Sequence, residues 1–384
     1  MARLTHLCLV SAQATPILTP ALDPTVRPER AILLVSPDMQ RRADWVAQVL
    51  RSRGIKIERW PIEDAWDVEH VQTRVLELLE RELDSVATGA IALNATGGTK
   101  PMSIAAYEAF RAYDLPIFYI HPEKDRLIWM HPGGQSAIDL ENRVRLEPFL
   151  LAHGARMQSR KTEGVPAQLR ALTKWLVADA RAYGRALGVL NWLAKEAETG
   201  LVSPEMESHH LRNYRLQTLL DRFVGEGMLE LRGRRLRFPD EESRFYVNGG
   251  WLEEHVYDVF RGLRGDLPHI QDLARSVTIV REAPRGVEVP NEIDVGCLAE
   301  NRLYLVECKT RSWSGDGSSG VGVNALYRLD TLGDLLGGLQ ARAMVVSYRP
   351  LPAHVLRRAA DLGVRVCAGS RLPELAAELR DWIR

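Results

Sequence analysis

Through the first 145 residues, short apolar runs at 7–10, 31–35, 55–58, 91–94 and 117–120 alternate with longer stretches of helical character. That alternation predicts parallel strands joined by helices that cover both faces of one sheet. Ligands of such sheets collect at the carboxyl ends of the strands. Residues 123–140, apolar at 126–130 and 137–140, predict a hairpin added at the sheet edge. The pattern then loosens: 145–165 has mixed polarity and is expected to be a linker. Helical spacing returns at 168–183, 187–194 and 211–224, followed by two short runs around the turn Arg232-Gly233-Arg234-Arg235. Helices ahead of a basic-tipped hairpin predict a winged-helix-like connector. From residue 249 onward the pattern predicts a helix, a β-hairpin with arms at 295–298 and 303–306, a helix at 325–336, a strand at 342–347, a helix at 353–362, a strand at 364–367 and a terminal helix. Three parts are expected in this α/β protein, 1–145, 146–248 and 249–384, with no internal repeat.

Composition narrows the class. At 46% hydrophobic and 26% charged residues, the chain reads as soluble and globular, not disordered or membrane-spanning. Lys plus Arg equals Asp plus Glu, 50 each, so bulk charge offers no attraction to a polyanion. Two segments are locally basic: 155–185 carries seven Lys or Arg against two acids, and 212–237 seven Arg against three. Each fits either a solvated helix face or a surface turned to nucleic acid. The cysteines, Cys8, Cys297, Cys308 and Cys367, are scattered singly, which argues against a disulfide framework or a zinc site. Without an apolar run of ~20 residues or a cleavage-like signal, a cytoplasmic protein with no membrane partner is expected.

The densest chemistry lies at Glu292-Ile293-Asp294 and Glu307-Cys308-Lys309. Asp294 stands at the start of one arm of the predicted hairpin and Glu307 follows the other. Side chains alternate faces along a strand, so Glu307 and Lys309 point one way and Cys308 into the opposite layer. Asp294, Glu307 and Lys309 are therefore expected in one cluster. Two carboxylates so placed repel unless a divalent cation lies between them, and oxygen donors of this kind suit Mg²⁺ or Mn²⁺. Such an ion polarises a phosphodiester, helps generate hydroxide and stabilises the leaving oxygen. Lys309 would orient the attacking water or neutralise charge developing on the phosphate. If Ile293 points into the core, Glu292 shares the face of Asp294 and can contribute. The competing reading is a solvated edge strand, since Glu-x-Lys is a common tripeptide.

Asp294 with Glu307-x-Lys309, on a hairpin preceded by the helical segment 251–256, resembles the metal-binding core of the restriction-endonuclease-like PD-(D/E)xK nucleases. In that family a Glu on the preceding helix often completes the site, a position that Glu253 or Glu254 fills here. About 100° separates the two on a helix of ~3.6 residues per turn, so only one can face the metal; Glu253 is favoured. The resemblance implies a metal held by Asp294, Glu307, the Cys308 backbone carbonyl and Glu253, with Lys309 catalytic.

A second signature, Asn94-Ala95-Thr96-Gly97-Gly98-Thr99-Lys100-Pro101, follows the fourth predicted strand, and Ser11-Ala12-Gln13-Ala14-Thr15-Pro16 follows the first. Paired glycines let the backbone approach a ligand, and the amides of the following helix start favour an anion. A tight strand-to-helix turn with no ligand is the plain alternative. The spacing is not that of a Walker P-loop. Asn-x-Thr-Gly-Gly-Thr-Lys resembles the signature of the CRISPR-associated Rossmann fold, the CARF domain, and the Ser-x-Gln-x-Thr-Pro loop fits the same picture. The resemblance implies a Rossmann-like homodimer that binds a cyclic oligoadenylate across its two-fold axis. Thr96, Gly97, Gly98, Thr99 and Lys100 would contact phosphates and ribose, and Ser11, Gln13 and Thr15 would line the first-strand loop. Two copies of Lys100 facing one cyclic polyanion would give dimerisation a purpose.

Together the halves resemble the ancillary effector nucleases of type III CRISPR defence: an N-terminal Rossmann-like CARF domain, a winged-helix-like connector and a C-terminal restriction-endonuclease-like α/β domain. That implies a homodimer switched on allosterically by a cyclic oligoadenylate, the tetra-adenylate above all, and cutting DNA, RNA or both with Mn²⁺ or Mg²⁺. The Gly- and Ser-rich segment 312–322 is expected to be a loop at the mouth of the site, where Trp313 either stacks on a base or packs. The runner-up is a CARF-type, ligand-responsive transcription regulator that binds DNA through 232–237 and cuts nothing.

Overall fold

The structure, a computed structural model, describes residues 4–85, 91–121, 124–141, 143–282, 286–313 and 321–383. The first domain runs β1 (Thr5–Leu9), α1 (Thr15–Leu22), β2 (Arg30–Val35), α2 (Gln40–Ser52), β3 (Lys56–Pro61), α3 (Val68–Ser85), β4 (Ile91–Asn94), α4 (Lys100–Ala112), β5 (Ile117–His121), β6 (Arg126–His131) and β7 (Ile138–Asp139). One sheet orders them β3-β2-β1-β4-β5-β6-β7. Strands β1 to β5 are parallel, and β6 and β7 form the expected antiparallel edge. Every residue of β1 and β4 is buried, as the unbroken apolar runs demand of strands covered on both faces. Helices α1 and α2 pack on one face and α3 and α4 on the other.

The expected linker takes a different form. Residues 145–165 fold as α5 (Leu146–Ala152), with Leu146, Phe149 and Leu150 buried, and β8 (Ala155–Lys161). Strand β8 is the edge of the second sheet, paired antiparallel with β11 (Ile270–Glu282). Its exposed polar side chains gave no alternation to read, because an edge strand can be held by backbone bonds along one side alone. Between β8 and β11 lie α6 (Ala167–Ala178), α7 (Ala180–Glu196), α8 (Ser208–Leu211), α9 (Tyr214–Gly225), the hairpin β9 (Glu230–Arg232) and β10 (Arg235–Arg237), α10 (Glu241–Phe245) and α11 (Trp251–Leu263). After β11 come β12 (Glu288–Ala299), β13 (Arg302–Lys309), α12 (Val321–Gly337), β14 (Arg342–Ser347), α13 (Ala353–Asp361), β15 (Arg365–Ala368) and α14 (Leu375–Ile383). The second sheet is ordered β15-β14-β13-β12-β11-β8. Strands β13, β14 and β15 run parallel and the others pair antiparallel.

One face of this sheet is covered by α6, α7, α9, α11 and α14. The other packs against α5, α12 and α13, and also against α1 and α2 of the first domain: Val277, Ile279, Leu303 and Leu305 share a core with Ile17, Leu33, Val46 and Leu50. Polar contacts stitch the same seam. Leu146 N donates to Asp272 Oδ2 at 2.9 Å, Gln271 Nε2 to the Val144 carbonyl at 3.0 Å, and Arg41 Nη2 to the Glu282 carbonyl at 2.8 Å. Among the described residues, no helix is long and apolar enough to cross a membrane.

Candidate active site

Strands β12 and β13 pair from Ala299 with Arg302 to Val295 with Val306, around turn residues Glu300 and Asn301 at φ 48° and 54°. Left-handed residues at both turn positions match the twist of the strands and fix their register. Continuing that register by one rung sets Asp294 opposite Glu307, on one face. Cys308, which alternates to the other face, packs against the helical core, and its amide donates to Asp294 Oδ2 at 2.6 Å. Lys309 Nζ donates to Glu307 Oε1 at 2.9 Å. Asp294, Glu307 and Lys309 thus come together as the hairpin pattern predicts. Ile293 is buried and Glu292 exposed beside them.

Helix α11 supplies the fourth group. The chain kinks into it at Gly249, at φ +124°, where a Cβ would lie 2.4 Å from Thr310 Oγ1, the residue after Lys309. Only glycine lets the helix start this close to β13. Glu253 is buried and accepts a 3.1 Å hydrogen bond from Ser276 Oγ on β11. Burial, then the charges of Asp294 and Glu292, hold its carboxyl well above the usual range. Glu254 turns away and pairs with buried Arg275 at 3.3 Å, so of the two candidates Glu253 faces the cluster.

Asp294 is pushed up to about 8, by burial first and then by Glu307 and Glu292, against the pull of the Cys308 amide. Among the described residues neither Asp294 nor Glu253 has an ion-pair partner, and a hard divalent ion with oxygen preference fits that donor set. As the side chains stand, no group of three or more His, Cys, Asp or Glu among the described residues closes on a common metal position. Glu307 is instead held by cations. Besides Lys309, Arg328 on α12 reaches both of its oxygens, at 3.1 and 3.2 Å, and turns the carboxylate toward cationic side chains. Sequence reading missed Arg328 and Ser276, whose places depend on tertiary contacts. Of the two readings of Trp313, stacking on a base or packing, the structure shows packing: the indole is buried, donates to Ser347 Oγ at 2.7 Å, and lies 5.9 Å from the Lys309 ammonium. The rest of the expected mouth loop, 314–320, lies outside the described residues.

In the first domain, Thr99 caps α4 by accepting from Met102 N at 3.2 Å, and its hydroxyl donates to the Ala65 carbonyl at 2.6 Å. Thr96 Oγ1 donates to Asn94 Oδ1 at 2.7 Å and accepts from Ile120 N at 2.8 Å. Gly97 runs against β1, where a Cβ would lie 2.1 Å from the Leu9 carbonyl oxygen, and Gly98 stands at φ +74°. Lys100 is exposed at the helix start, Ser11 and Gln13 are half-buried in the loop after β1, and Thr15 is buried. The hydroxyls of Thr96 and Thr99 are thus spent on the fold, and that of Ser11 donates to the Gln13 carbonyl at 3.2 Å, while Lys100 stands exposed. Gln13 also reaches the second domain. Its amide lies against Gly338, at φ +55° just beyond α12, where a Cβ would be 2.1 Å from Gln13 Nε2. Three of the four arginines of the hairpin region fit the regulator reading less well. Arg232 is held by Glu230, Arg234 by the Met206 carbonyl, and Arg235 by the Ser203 carbonyl and Glu205.

A family model of the Card1 CARF domain matches residues 5–149, and one of the Card1-like endonuclease domain matches 240–384. Protein VC1899 from Vibrio cholerae, a solved structure, is 30% identical with a TM-score of 0.88, over 99% of this chain and 98% of that one. Can2 from Sulfobacillus thermosulfidooxidans, solved in complex with cyclic tetra-adenylate, is 24% identical with a TM-score of 0.81 and 99% of both chains covered. A type III CRISPR defence DNA nuclease activated by cyclic oligoadenylate is 21% identical with a TM-score of 0.56, over 91% of this chain and 46% of that one. Comparison with curated proteins gives no match. Two domain models side by side, and a 30%-identical relative aligned over nearly its whole length, make this chain a member of the Card1-like family, a CARF domain joined to an endonuclease domain.

Proposed function

We propose that the protein is a metal-dependent endonuclease of type III CRISPR defence that a cyclic oligoadenylate, above all cyclic tetra-adenylate, switches on. The observation that carries the reading is the crowding of Asp294, Glu307 and Glu253 around one end of the hairpin, with Asp294 driven to about 8 by burial and then by its carboxylate neighbours. Asp294, Glu307, the Cys308 carbonyl and Glu253 would hold Mn²⁺ or Mg²⁺, which when bound supplies Lewis-acid activation of the phosphodiester. Lys309, 2.9 Å from Glu307, neutralises charge on the phosphate and orients the attacking water. Cys308 N holds the Asp294 carboxylate in place, and Ser276 does the same for Glu253.

Activation follows from two contacts. Gln13, in the loop expected to line the activator, lies against Gly338 at one end of the segment whose helix carries Arg328, and Arg328 holds Glu307. An activator that draws on Ser11, Gln13 and Lys100 would shift that helix and loosen Arg328, biasing the site toward its metal-competent arrangement. A homodimer would bring two sets of Thr96–Lys100 to one cyclic ligand, and the cytoplasm is its expected place. The Can2 complex supports the choice of activator, since that protein has this fold and carries cyclic tetra-adenylate. The test is incubation with a panel of cyclic oligoadenylates, Mn²⁺ or Mg²⁺, and labelled single- and double-stranded DNA and RNA. Cleavage should require both tetra-adenylate and metal, and should vanish in the Glu307→Ala, Lys309→Ala variant. Undiminished cleavage by that variant would refute the site.

A further inference from the structure

An open cleft between the connector and the segments that follow β13 and β14 lies outside the carboxylate cluster. Its volume is about 630 Å³. One wall is a stripe of α7 in which Arg185, Gly188, Trp192 and Lys195 recur at helical spacing; the other is Arg311 and Arg349. The opposite face of α7, with Leu187, Leu190 and Leu193, is fully buried, so the stripe is not required for packing. The floor is Asn191, joined side chain to side chain with Thr310 at 2.8 Å. Arg311 lies two residues beyond Lys309. Arg349 follows Tyr348, whose amide donates to the Lys309 carbonyl at 2.8 Å. The cleft therefore opens at the carboxyl ends of the parallel strands β13 and β14, where Lys309 is the last residue of β13.

Its chemistry is one-sided. Four fixed cations stand against a single lining acid, Glu196, and no ion pair of Arg185, Lys195, Arg311 or Arg349 is found among the described residues. Trp192 is 44% exposed, beside the small Gly188 and 6.4 Å from the His210 ring. A half-exposed indole amid cations that have no acidic partner is the combination that takes a base by stacking and its phosphates by charge. Buried Trp313 cannot do this. We propose that the cleft is a subsite for one unpaired nucleotide flanking the cut, its base stacked on Trp192 and its phosphates held by Arg311, Arg349 and Lys195. The proposal rests on the nuclease reading and names how that site grips its polynucleotide.

The experiment uses the full-length protein with cyclic tetra-adenylate in EDTA, so that binding is read without cleavage, and short labelled oligothymidylate, oligouridylate and a blunt DNA duplex as probes. Trp192→Ala should weaken binding of the unpaired strands about tenfold, about 1.4 kcal/mol, and leave the duplex unchanged. Trp192→Phe should restore most of the affinity. Loss on oligothymidylate alone would place a DNA strand there, and loss on both, either nucleic acid. Arg311→Gln should lower the salt dependence of binding. With Mn²⁺ added, Trp192→Ala should raise KM and spare kcat. Unaltered binding by Trp192→Ala, or equal loss on the duplex, would overturn the subsite while ordinary cleavage left the nuclease reading intact. Trp192-dependent binding without cleavage under any metal would do the reverse.

Discussion

Replacing Asp294 by Asn should stabilise the metal-free protein while abolishing cleavage. The carboxyl is held at about 8 against 3.8 for a free Asp. In this direction the sign is unfavourable to the fold. Below pH 3.8 both states are protonated and nothing is lost. As pH rises the unfolded chain ionises first, so the native state loses about 1.4 kcal/mol per pH unit until its own carboxyl ionises near 8. Over the roughly three units from 3.8 to neutrality that is about 4 kcal/mol, a ceiling that local relaxation lowers. An Asn side-chain carbonyl still accepts from the Cys308 amide, so the hydrogen bond survives and only the charge is removed. The assay is thermal or urea unfolding of both proteins in EDTA across the range from pH 5 to 8, with activator-stimulated cleavage measured in parallel. The variant should gain steadily over wild type as pH rises, and Mn²⁺ should raise the melting temperature of wild type alone. A variant no more stable than wild type near pH 8, or a gap that does not widen with pH, would refute the claim that burial and crowding disfavour the Asp294 carboxylate.

Gly97→Ala should strain the sensor, because its Cβ meets the Leu9 carbonyl oxygen at 2.1 Å; a loss of about 1–3 kcal/mol in unfolding and of cyclic tetra-adenylate affinity by calorimetry is expected. Arg328→Ala removes a mostly exposed contact worth at most about 1 kcal/mol, and activator-independent cleavage should rise by up to about fivefold, read from initial rates without ligand. Glu253→Gln should abolish cleavage with stability kept. Glu254→Gln should instead cost about 3–5 kcal/mol by stranding buried Arg275, visible in denaturant midpoints.

What the chain discloses in advance is what depends on local pattern. Unbroken apolar runs announced β1, β2 and β4, and Glu307-x-Lys309 with Asp294 across a two-residue turn announced the hairpin. Strand β11 escaped notice because Gln271, Asp272, Arg275 and Ser276 break its alternation, the last with a left-handed backbone at φ 46°. Those interruptions are functional: Ser276 holds Glu253 and Arg275 holds Glu254. Strand β8 escaped because its side chains face water. Trp313 was open to stacking or packing because a Gly- and Ser-rich stretch follows it, and Ser347, far along the chain, supplies the partner to its buried indole. Arg328 sits on an ordinary amphipathic helix, and nothing in its neighbours signals the carboxylate it grips.

The apolar seam that β11 and β13 share with α1 and α2 has an evolutionary and a practical reading. The cutting half has no complete interior of its own, since one side of its sheet is covered by α5, α12 and α13 only in part and for the rest by the half that senses. A protease nick or gene truncation that removed the sensor would bare that side to water, and the freed fragment would collapse or aggregate before it could degrade nucleic acid unsupervised. Safety against a runaway enzyme is thereby built into solubility itself.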